Sequence, residues 1–232
     1  MTPSTGKEAR IRALIEAITA HLRADQGATE GTDRTLTRLA STDFRSGSFA
    51  DQAPVKSRHD AVLRQGIANI PAGSLAGIRS ALVAATDDLA WHEDDMKYYP
   101  AGADLGAGYG QCNLHSLLVG PGACGFHHDD FSLGIFVLGP RTLYRDHRHD
   151  APETYINLST RTGWRFDGGS WADYQAGSII FNPPNAVHAT RVYDQPFVSV
   201  FSWLENIDGQ CSVVPHSDWA LIEANLEIEK SA

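Results

Sequence analysis

The segment 144–155, with the sequence YRDHRHDAPETY, concentrates groups that bind metal ions and move protons. His147 and His149 are two residues apart, so in an extended strand both imidazoles project to the same side. Glu153 follows four residues after His149, and its carboxylate can return to that side across a bend. Two imidazoles and one carboxylate suit a borderline divalent ion such as Zn, Fe, Mn or Ni. The alternative is a solvated polar loop, because an HxH pair also occurs by chance.

A further ligand of such a site is predicted at His188, in the segment GSIIFNPPNAVHATRV. This histidine follows a predicted strand and a Pro-Pro-Asn turn, and the next predicted strand begins at once. Asn185 is the non-glycine residue type that best tolerates the positive φ a sharp hairpin requires. The chain between Glu153 and His188 is long enough for several strands, so both side chains can reach one interior. The spaced set of four residues favours the metal site over the solvated loop.

A second ligand-rich segment, CGFHHDD at 124–130, competes with this site. Its histidines and aspartates are consecutive, so neighbouring side chains would point in opposite directions in a strand. No partner segment for it is evident in the sequence. An exposed turn is therefore predicted there, and His115, which lies in an apolar run, is predicted to be a buried structural residue.

The chain before about residue 95 has the pattern of helices. An amphipathic helix is indicated by apolar residues that recur with helical spacing, namely Ile11, Leu14, Ile15, Ile18 and Leu22. Ser57 and Ser74 are predicted N-caps of two further helices, over about 58–70 and 75–90.

After about residue 110 the pattern changes to short β-type runs separated by glycine and proline. Strands are predicted at 113–119, 132–138, 154–159, 163–166, 177–181, 188–193 and 196–204. The glycine-rich segment 96–112 is predicted to be a linker or an access loop. Many short strands preceded by helices predict a mainly β fold, a sandwich or barrel with N-terminal helices. The predicted organisation is a helical extension over 1–95 that packs on a barrel over 96–232, forming one structural unit.

Bulk composition excludes several function classes. The 232 residues, 42% hydrophobic and 20% charged, suit a soluble globular protein with a sizeable core. A net charge of −9 argues against nucleic acid or an anionic membrane surface as a partner. The N-terminal segment lacks the uninterrupted apolar core of a signal peptide or membrane span, and no P-loop or dinucleotide fingerprint is present. The three cysteines form no CxxC pair, which predicts free thiols and a cytoplasmic location.

The two ligand-bearing segments resemble the conserved motifs of the cupins. The pattern G…HxHx3E over 139–153 is close to the first cupin motif, and Gx5PxNx2H over 177–188 is close to the second. The distance from Gly139 to His147 is two residues longer than usual, and Asn185 replaces the usual glycine. Neither departure removes a ligand. The resemblance implies a cupin (jelly-roll) β-barrel that holds one divalent transition metal ion through three histidines and one glutamate.

The finer pattern resembles the cupin-type bacterial dimethylsulfoniopropionate (DMSP) lyases, and among them the DddL-like group. Tyr144 before the histidines, Tyr155 two residues after Glu153, and the helical extension carry this resemblance, whose specific motifs occupy about 139–192. It implies Tyr155 as the catalytic base and Tyr144 as a second tyrosine of the pocket. The implied metal ligands are His149, Glu153 and His188, with His147 a further ligand or a near neighbour.

That family splits DMSP into dimethyl sulfide and acrylate. The sulfide leaves as a neutral molecule, so the difficult step is removal of a proton from the carbon next to a carboxylate. A divalent ion bound to that carboxylate acts as a Lewis acid. The ion also favours the phenolate form of a nearby tyrosine, whose unperturbed pKa is about 10. The sulfonium group is best held by aromatic faces. The candidates in the motif-bearing half are Trp164, Phe166, Trp171, Tyr174, Phe181 and Trp203.

Two other functions stay open on the sequence alone, because one fold hosts many reactions. One is a different cupin metalloenzyme, such as an iron-dependent dioxygenase or a sugar isomerase. The other is a non-catalytic cupin that binds a small metabolite. The expected partner is a small zwitterionic substrate, without nucleic acid or membrane, and a homodimer is left open.

Overall fold

The computed structural model of the protein describes residues 6–228. Its helices are α1 (Gly6–Ala24), α2 (Glu30–Ser41), α3 (Asp60–Ala68), α4 (Ala76–Ala85), α5 (Ala107–Gln111) and α6 (Trp219–Ile228). Its strands are β1 (Asn113–Val119), β2 (Ser132–Leu138), β3 (Leu143–His149), β4 (Glu153–Asn157), β5 (Thr162–Phe166), β6 (Ala172–Tyr174), β7 (Ile179–Asn182), β8 (His188–Val192), β9 (Phe197–Trp203) and β10 (Cys211–Val213).

The strands form two antiparallel five-stranded sheets. One has the order β1-β2-β9-β4-β7 and the other has the order β10-β3-β8-β5-β6. Side chains from both sheets pack together in one interior cluster, to which β9 contributes Phe197 and β5 contributes Trp164. The predicted fold class, mainly β with N-terminal helices and a cupin-type jelly-roll barrel, is confirmed.

The larger apolar core lies between the N-terminal helices and the outer face of the first sheet. The stripe predicted on α1 is buried, and it shares one core with Val198 and Val200 of β9. Alternate residues of a strand face opposite sides, so Phe197 and Phe201 of the same strand face the barrel interior. The helices therefore cover one sheet and leave its other face to line the interior.

Two glycines allow helices to approach this sheet closely. A Cβ atom added at Gly66 of α3 would lie 2.5 Å from Cγ2 of Val198, and one added at Gly31 of α2 would lie 2.5 Å from Oγ1 of Thr154. Both distances are far below van der Waals contact. The helical layer thus packs directly on β9 and β4, the two strands next to each other in the first sheet.

The structure corrects several boundaries. Strands β1 and β2 coincide with predicted runs, but β3, β6, β10 and the helices α2, α5 and α6 were not predicted. The caps predicted at Ser57 and Ser74 are wrong by one or two residues, because α3 and α4 begin after His59 and Leu75. The division between residues 95 and 96 stays a prediction, and residues 1–5 and 229–232, which it includes, lie outside the described residues.

The structure also describes the apolar character of the helices and the state of the cysteines. Within residues 6–228, no helix combines the length and the apolar character needed to cross a membrane. Cys112, Cys124 and Cys211 are buried free thiols.

Replacing Gly66 by alanine is expected to lower the free energy of unfolding by about 1–3 kcal/mol, because the new Cβ overpacks against Val198. The matched control is Gly77→Ala on α4, where a Cβ would meet nothing within 4 Å. There helix propensity alone acts and raises stability by up to about 1 kcal/mol. Urea unfolding followed by circular dichroism measures the free energy of unfolding of both variants. Equal stability of the two variants would contradict the close approach of α3 to β9.

Candidate metal centre and active site

Three imidazoles from two neighbouring strands meet inside the barrel. His147 and His149 lie on β3, and His188 is the first residue of β8. Ligating atoms of the three side chains all lie within 4.8 Å of one another, and the residues are 1%, 4% and 1% exposed. The Pro-Pro-Asn turn before His188 contains Asn185 with a φ of 62°, as predicted for a sharp turn. The structure therefore brings the distant histidines together.

Each of the three imidazoles has one nitrogen fixed by the backbone. The Nδ1 atoms of His147, His149 and His188 lie 2.7, 2.7 and 2.9 Å from the carbonyl oxygens of residues 145, 151 and 186. A ring that donates its Nδ1–H to a carbonyl presents Nε2 as a lone-pair donor, which is how metal-binding histidines are commonly held. The Nε2 of His188 is buried without a hydrogen-bond partner among the described residues. These three residues form a site that could hold a metal ion.

Glu153 reaches the histidines from the opposite sheet. Its Oε2 lies 3.2 Å from Nε2 of His149 and 3.5 Å from Nε2 of His188. Asn182 of β7 donates to this Oε2 at 3.0 Å, and Trp203 of β9 donates to Oε1 at 2.8 Å. Both partners lie directly opposite Glu153 in the strand register. The carboxylate is thus fixed in its direction, and Asn182 and Trp203 are positioning residues whose role the sequence did not reveal.

The charges of this cluster shift the pKa values of its members in different directions. Burial acts to raise the pKa of Glu153, but the neighbouring His149 and His188 hold that pKa well below its usual value. Burial and the other two imidazoles lower the pKa of His147 well below its usual value. Burial would also lower the pKa of His149, but the Glu153 carboxylate raises it. The cluster therefore holds a charged carboxylate and an imidazole that resists protonation, which fits a divalent cation.

A β-bulge allows Tyr144 and His147 to face the same side. Residues three apart in a regular strand point to opposite faces. In the pairing of β3 with β8, Tyr144 lies opposite Thr190 and His147 lies opposite His188, so β3 contains one extra residue between them. As a result the Tyr144 ring stacks on the His147 ring, with centroids 4.0 Å apart and an interplanar angle of 19°.

A cavity of about 550 Å³ opens beside these residues. Tyr155 lines it and lies near Glu153, two residues away on the same face of β4. Tyr144 also lines it, and its hydroxyl is 3.0 Å from the hydroxyl of Tyr99. The structure therefore places both predicted tyrosines in one cavity with His147, His149 and Glu153.

The phenol groups of this cavity are held neutral by their surroundings. Burial, followed by the negative charge of Glu153, raises the pKa of Tyr155 well above its usual value. Burial, followed by its neighbours Tyr109 and Tyr155, does the same to the pKa of Tyr144. A phenolate in this cavity consequently needs a nearby positive charge.

The structure places only one of the six predicted aromatic candidates, Trp203, in the cavity wall. Besides Tyr144 and Tyr155, the other Phe and Tyr side chains that line it are Tyr98, Tyr99, Tyr109, Phe136 and Phe201. Three of these tyrosines come from the segment 96–112, which was predicted to be a linker or an access loop. The tyrosines among its glycines were the available signal. In the competing segment 124–130, His127 is exposed and its Nε2 lies 2.8 Å from Oδ1 of Asp129, as predicted for a surface turn. Cys124 and Phe126 are buried, so the prediction of an exposed turn is wrong for the first part of the segment.

Comparisons with known proteins give a consistent result. The sequence profile of a family described as dimethylsulfoniopropionate lyase matches residues 28–199. The dimethylsulfoniopropionate lyase DddQ of Ruegeria pomeroyi is 26% identical over 148 residues, which cover 64% of this chain and 71% of that protein. A crystal structure of DddQ from the same organism superposes with a TM-score of 0.66 at 23% identity, covering 89% of this chain and 97% of the other. A structure from work on the DMSP lyases RdDddP and RnDddQII superposes with a TM-score of 0.68 at 20% identity, covering 91% and 100%.

Replacing His188 by alanine is expected to weaken binding of a divalent ion by at least about 100-fold, above the roughly 10- to 100-fold typical of changes outside the ligand set. The control is His115→Ala, because His115 lines the neighbouring cavity but is not part of the three-histidine cluster. Metal content after dialysis and the metal-dependent rise in melting temperature measure the effect. Equal loss in both variants, or loss in neither, would contradict the site.

Proposed function

The chain belongs to the dimethylsulfoniopropionate lyase family and is a carbon–sulfur lyase, and from this premise we propose how the cavity performs the reaction. The substrate is DMSP and the products are dimethyl sulfide and acrylate, formed by β-elimination. The finer assignment to the DddL-like group stays a prediction, since the curated relative is named DddQ. The observation that carries the proposal is the convergence of Glu153 with three imidazoles beside Tyr155.

In this proposal His147, His149, Glu153 and His188 hold one divalent transition metal ion. The donor set supports it, because three imidazoles and one carboxylate suit Zn, Fe, Mn or Ni. When bound, the ion supplies positive charge that offsets the charge of the substrate carboxylate and favours a nearby phenolate. The buried Nε2 of His188 is the atom that most needs such a partner.

Tyr155 acts as the base in this proposal. Its side chain lies beside Glu153, one of the residues that would hold the ion, whereas Tyr144 stacks on His147. Tyr155 accepts the proton from the carbon next to the carboxylate. The electrons of that C–H bond form the new double bond, and the C–S bond electrons leave with the neutral sulfide. No general acid is required, and the proton stays on Tyr155 until solvent receives it.

Tyr144 is proposed to orient the site. Its ring packs on His147, and its hydroxyl is paired with that of Tyr99. A further stack with Tyr109, at 4.4 Å between centroids, restrains the ring from the other side. Tyr109 is itself held by a 2.6 Å hydrogen bond that its hydroxyl donates to Asp94. Tyr144 therefore sits in a chain of aromatic contacts that limits its movement.

The sulfonium end of the substrate is proposed to lie against the aromatic wall. Phe136, Phe201 and Trp203 present apolar faces in the same cavity, with Phe136 and Phe201 centroids 6.3 Å apart. A soft cation is attracted by such faces.

Replacing Tyr155 by phenylalanine is expected to lower kcat for dimethyl sulfide release by about 10²- to 10⁴-fold while the bound metal is retained, because only the proton acceptor is removed. Headspace gas chromatography measures the product, and metal analysis of the same sample measures the site. Tyr174→Phe is the control, since Tyr174 lies on β6 outside the residues that line the cavity.

The same assay without oxygen separates the alternatives. The lyase releases dimethyl sulfide at an unchanged rate under anaerobic conditions, whereas an iron-dependent dioxygenase needs oxygen and a metabolite-binding cupin releases no product. Full activity of the Tyr155→Phe variant would refute the assigned base.

A further inference from the structure

A buried ion pair lies on the side of the second sheet that faces α6, away from the cavity. Arg165 of β5 and Asp146 of β3 have side chains that are 1% and 2% exposed. Arg165 donates from Nε to Oδ1 of Asp146 at 3.0 Å and from Nη2 to Oδ2, which makes a two-pronged contact. Trp219 of α6 donates to Asp146 at 2.7 Å, and Arg165 also donates to Asp218 at 2.5 Å. None of these residues lines the cavity.

This ion pair spans the bulge that shapes the metal site. Asp146 is one of the two residues between Tyr144 and His147 where β3 departs from regular pairing. Arg165 pairs in register with Ala189, the β8 residue opposite the bulge. The small, buried side chain of Ala189 leaves room for the two charged groups to meet across β8.

The backbone of the bulge also acts on the metal site directly. The carbonyl of Arg145 accepts the Nδ1–H of His147 at 2.7 Å and thereby turns Nε2 toward the other imidazoles. Two further polar groups of the bulge have partners outside β8. The Arg145 N–H donates to the carbonyl of Leu105, and the backbone carbonyl of Asp146 accepts from the Val214 N–H. A shift of this segment would therefore rotate His147 and move Tyr144 with it.

Stability alone is a poor explanation for this ion pair. Removing two charges from water offsets most of their attraction, and well-packed apolar residues of similar volume are often as stabilising. A two-pronged contact with every polar partner satisfied does, however, fix one geometry. The part of the molecule that needs a fixed geometry at this position is the bulge.

We infer that Asp146 and Arg165 are positioning residues for the metal site: their ion pair holds the β3 bulge and so sets the direction of His147 and Tyr144. This inference rests on the proposed metal-binding role of His147. It assigns a functional reason to two buried charges that touch neither the substrate cavity nor the proposed ion.

The double variant Asp146→Leu/Arg165→Met tests the inference without leaving a charge unpaired between these two residues. Cobalt(II) is the probe, because its absorption spectrum reports the geometry of its ligands. The expected result is a cobalt affinity lowered by about 10- to 100-fold, a changed visible spectrum, and a melting temperature of the metal-free protein close to that of the wild type. Wild-type affinity and spectrum in a folded double variant would overturn the inference.

The matched control is Asp60→Leu/Arg64→Met, which applies the same two substitutions to an ion pair within α3 whose side chains are 48% and 50% exposed. Its cobalt affinity and spectrum are expected to equal those of the wild type. If the buried double variant does not fold, Arg165→Lys decides the matter. Lysine keeps the buried charge but cannot form the two-pronged contact, so weakened cobalt binding supports the inference and unchanged binding overturns it.

The two proposals fail in different ways. If the wild-type protein binds no cobalt, the metal site itself is wrong and the inference falls with it. If the wild type binds cobalt and releases dimethyl sulfide while the double variant binds equally well, only the role of the ion pair is wrong.

Discussion

The fold is organised around the burial of one carboxylate among three imidazoles. Burying such a charge is expensive unless every lone pair and proton has a partner. Asn182 and Trp203 satisfy part of Glu153, and backbone carbonyls satisfy the Nδ1 atoms. With the imidazoles neutral, the inward Nε2 atoms and Oε2 of Glu153 all offer lone pairs toward one small volume. A water molecule has two hydrogen atoms to donate, whereas a cation can accept all of these lone pairs together.

This requirement couples the two sheets. The histidines come from the second sheet and Glu153 comes from the first, so the site exists only when the barrel is closed. The neighbour of Glu153 on β4, Thr154, faces the other way and lies against Gly31 of α2. The helical layer thus supports the strand that carries Glu153. A change in the packing of the helices would be transmitted to the position of Glu153 over a single residue.

The cluster of histidines and glutamate could be predicted from the sequence because residue type and spacing are local properties. His147, His149, Glu153 and His188 are all placed together as their spacing suggested. The strand that carries His147 and His149 was not predicted, although its residues are mostly buried. One face of β3 bears these histidines and the other bears Asp146 of the buried ion pair, so the strand lacks the alternation of apolar and polar residues by which strands are recognised.

Other parts of the structure depend on contacts between distant residues. Helix α2 was missed because its buried face contains Gly31 and Thr35 rather than a stripe of large apolar residues. The hydroxyl oxygen of Thr35 lies 3.2 Å from that of Ser202 on β9. The bulge in β3 was missed for a different reason. Tyr144 and His147 are three residues apart, which in a regular strand predicts opposite faces. The extra residue becomes visible only in the pairing with β8, and it is what makes the spacing between tyrosine and histidine compatible with one cavity.

The charge distribution of the cavity matches a zwitterion that enters with its carboxylate first. Among the described lining residues the only lysine is Lys97, which is exposed, and no arginine is present. A substrate carboxylate therefore finds compensating charge at the proposed ion and not at a basic side chain. At the exposed end, the carboxylate of Glu93 is paired with the guanidinium of Arg58 at 2.8 Å. This pairing offsets the charge of Glu93, so the attraction proposed for the sulfonium group comes chiefly from the aromatic faces of the cavity wall.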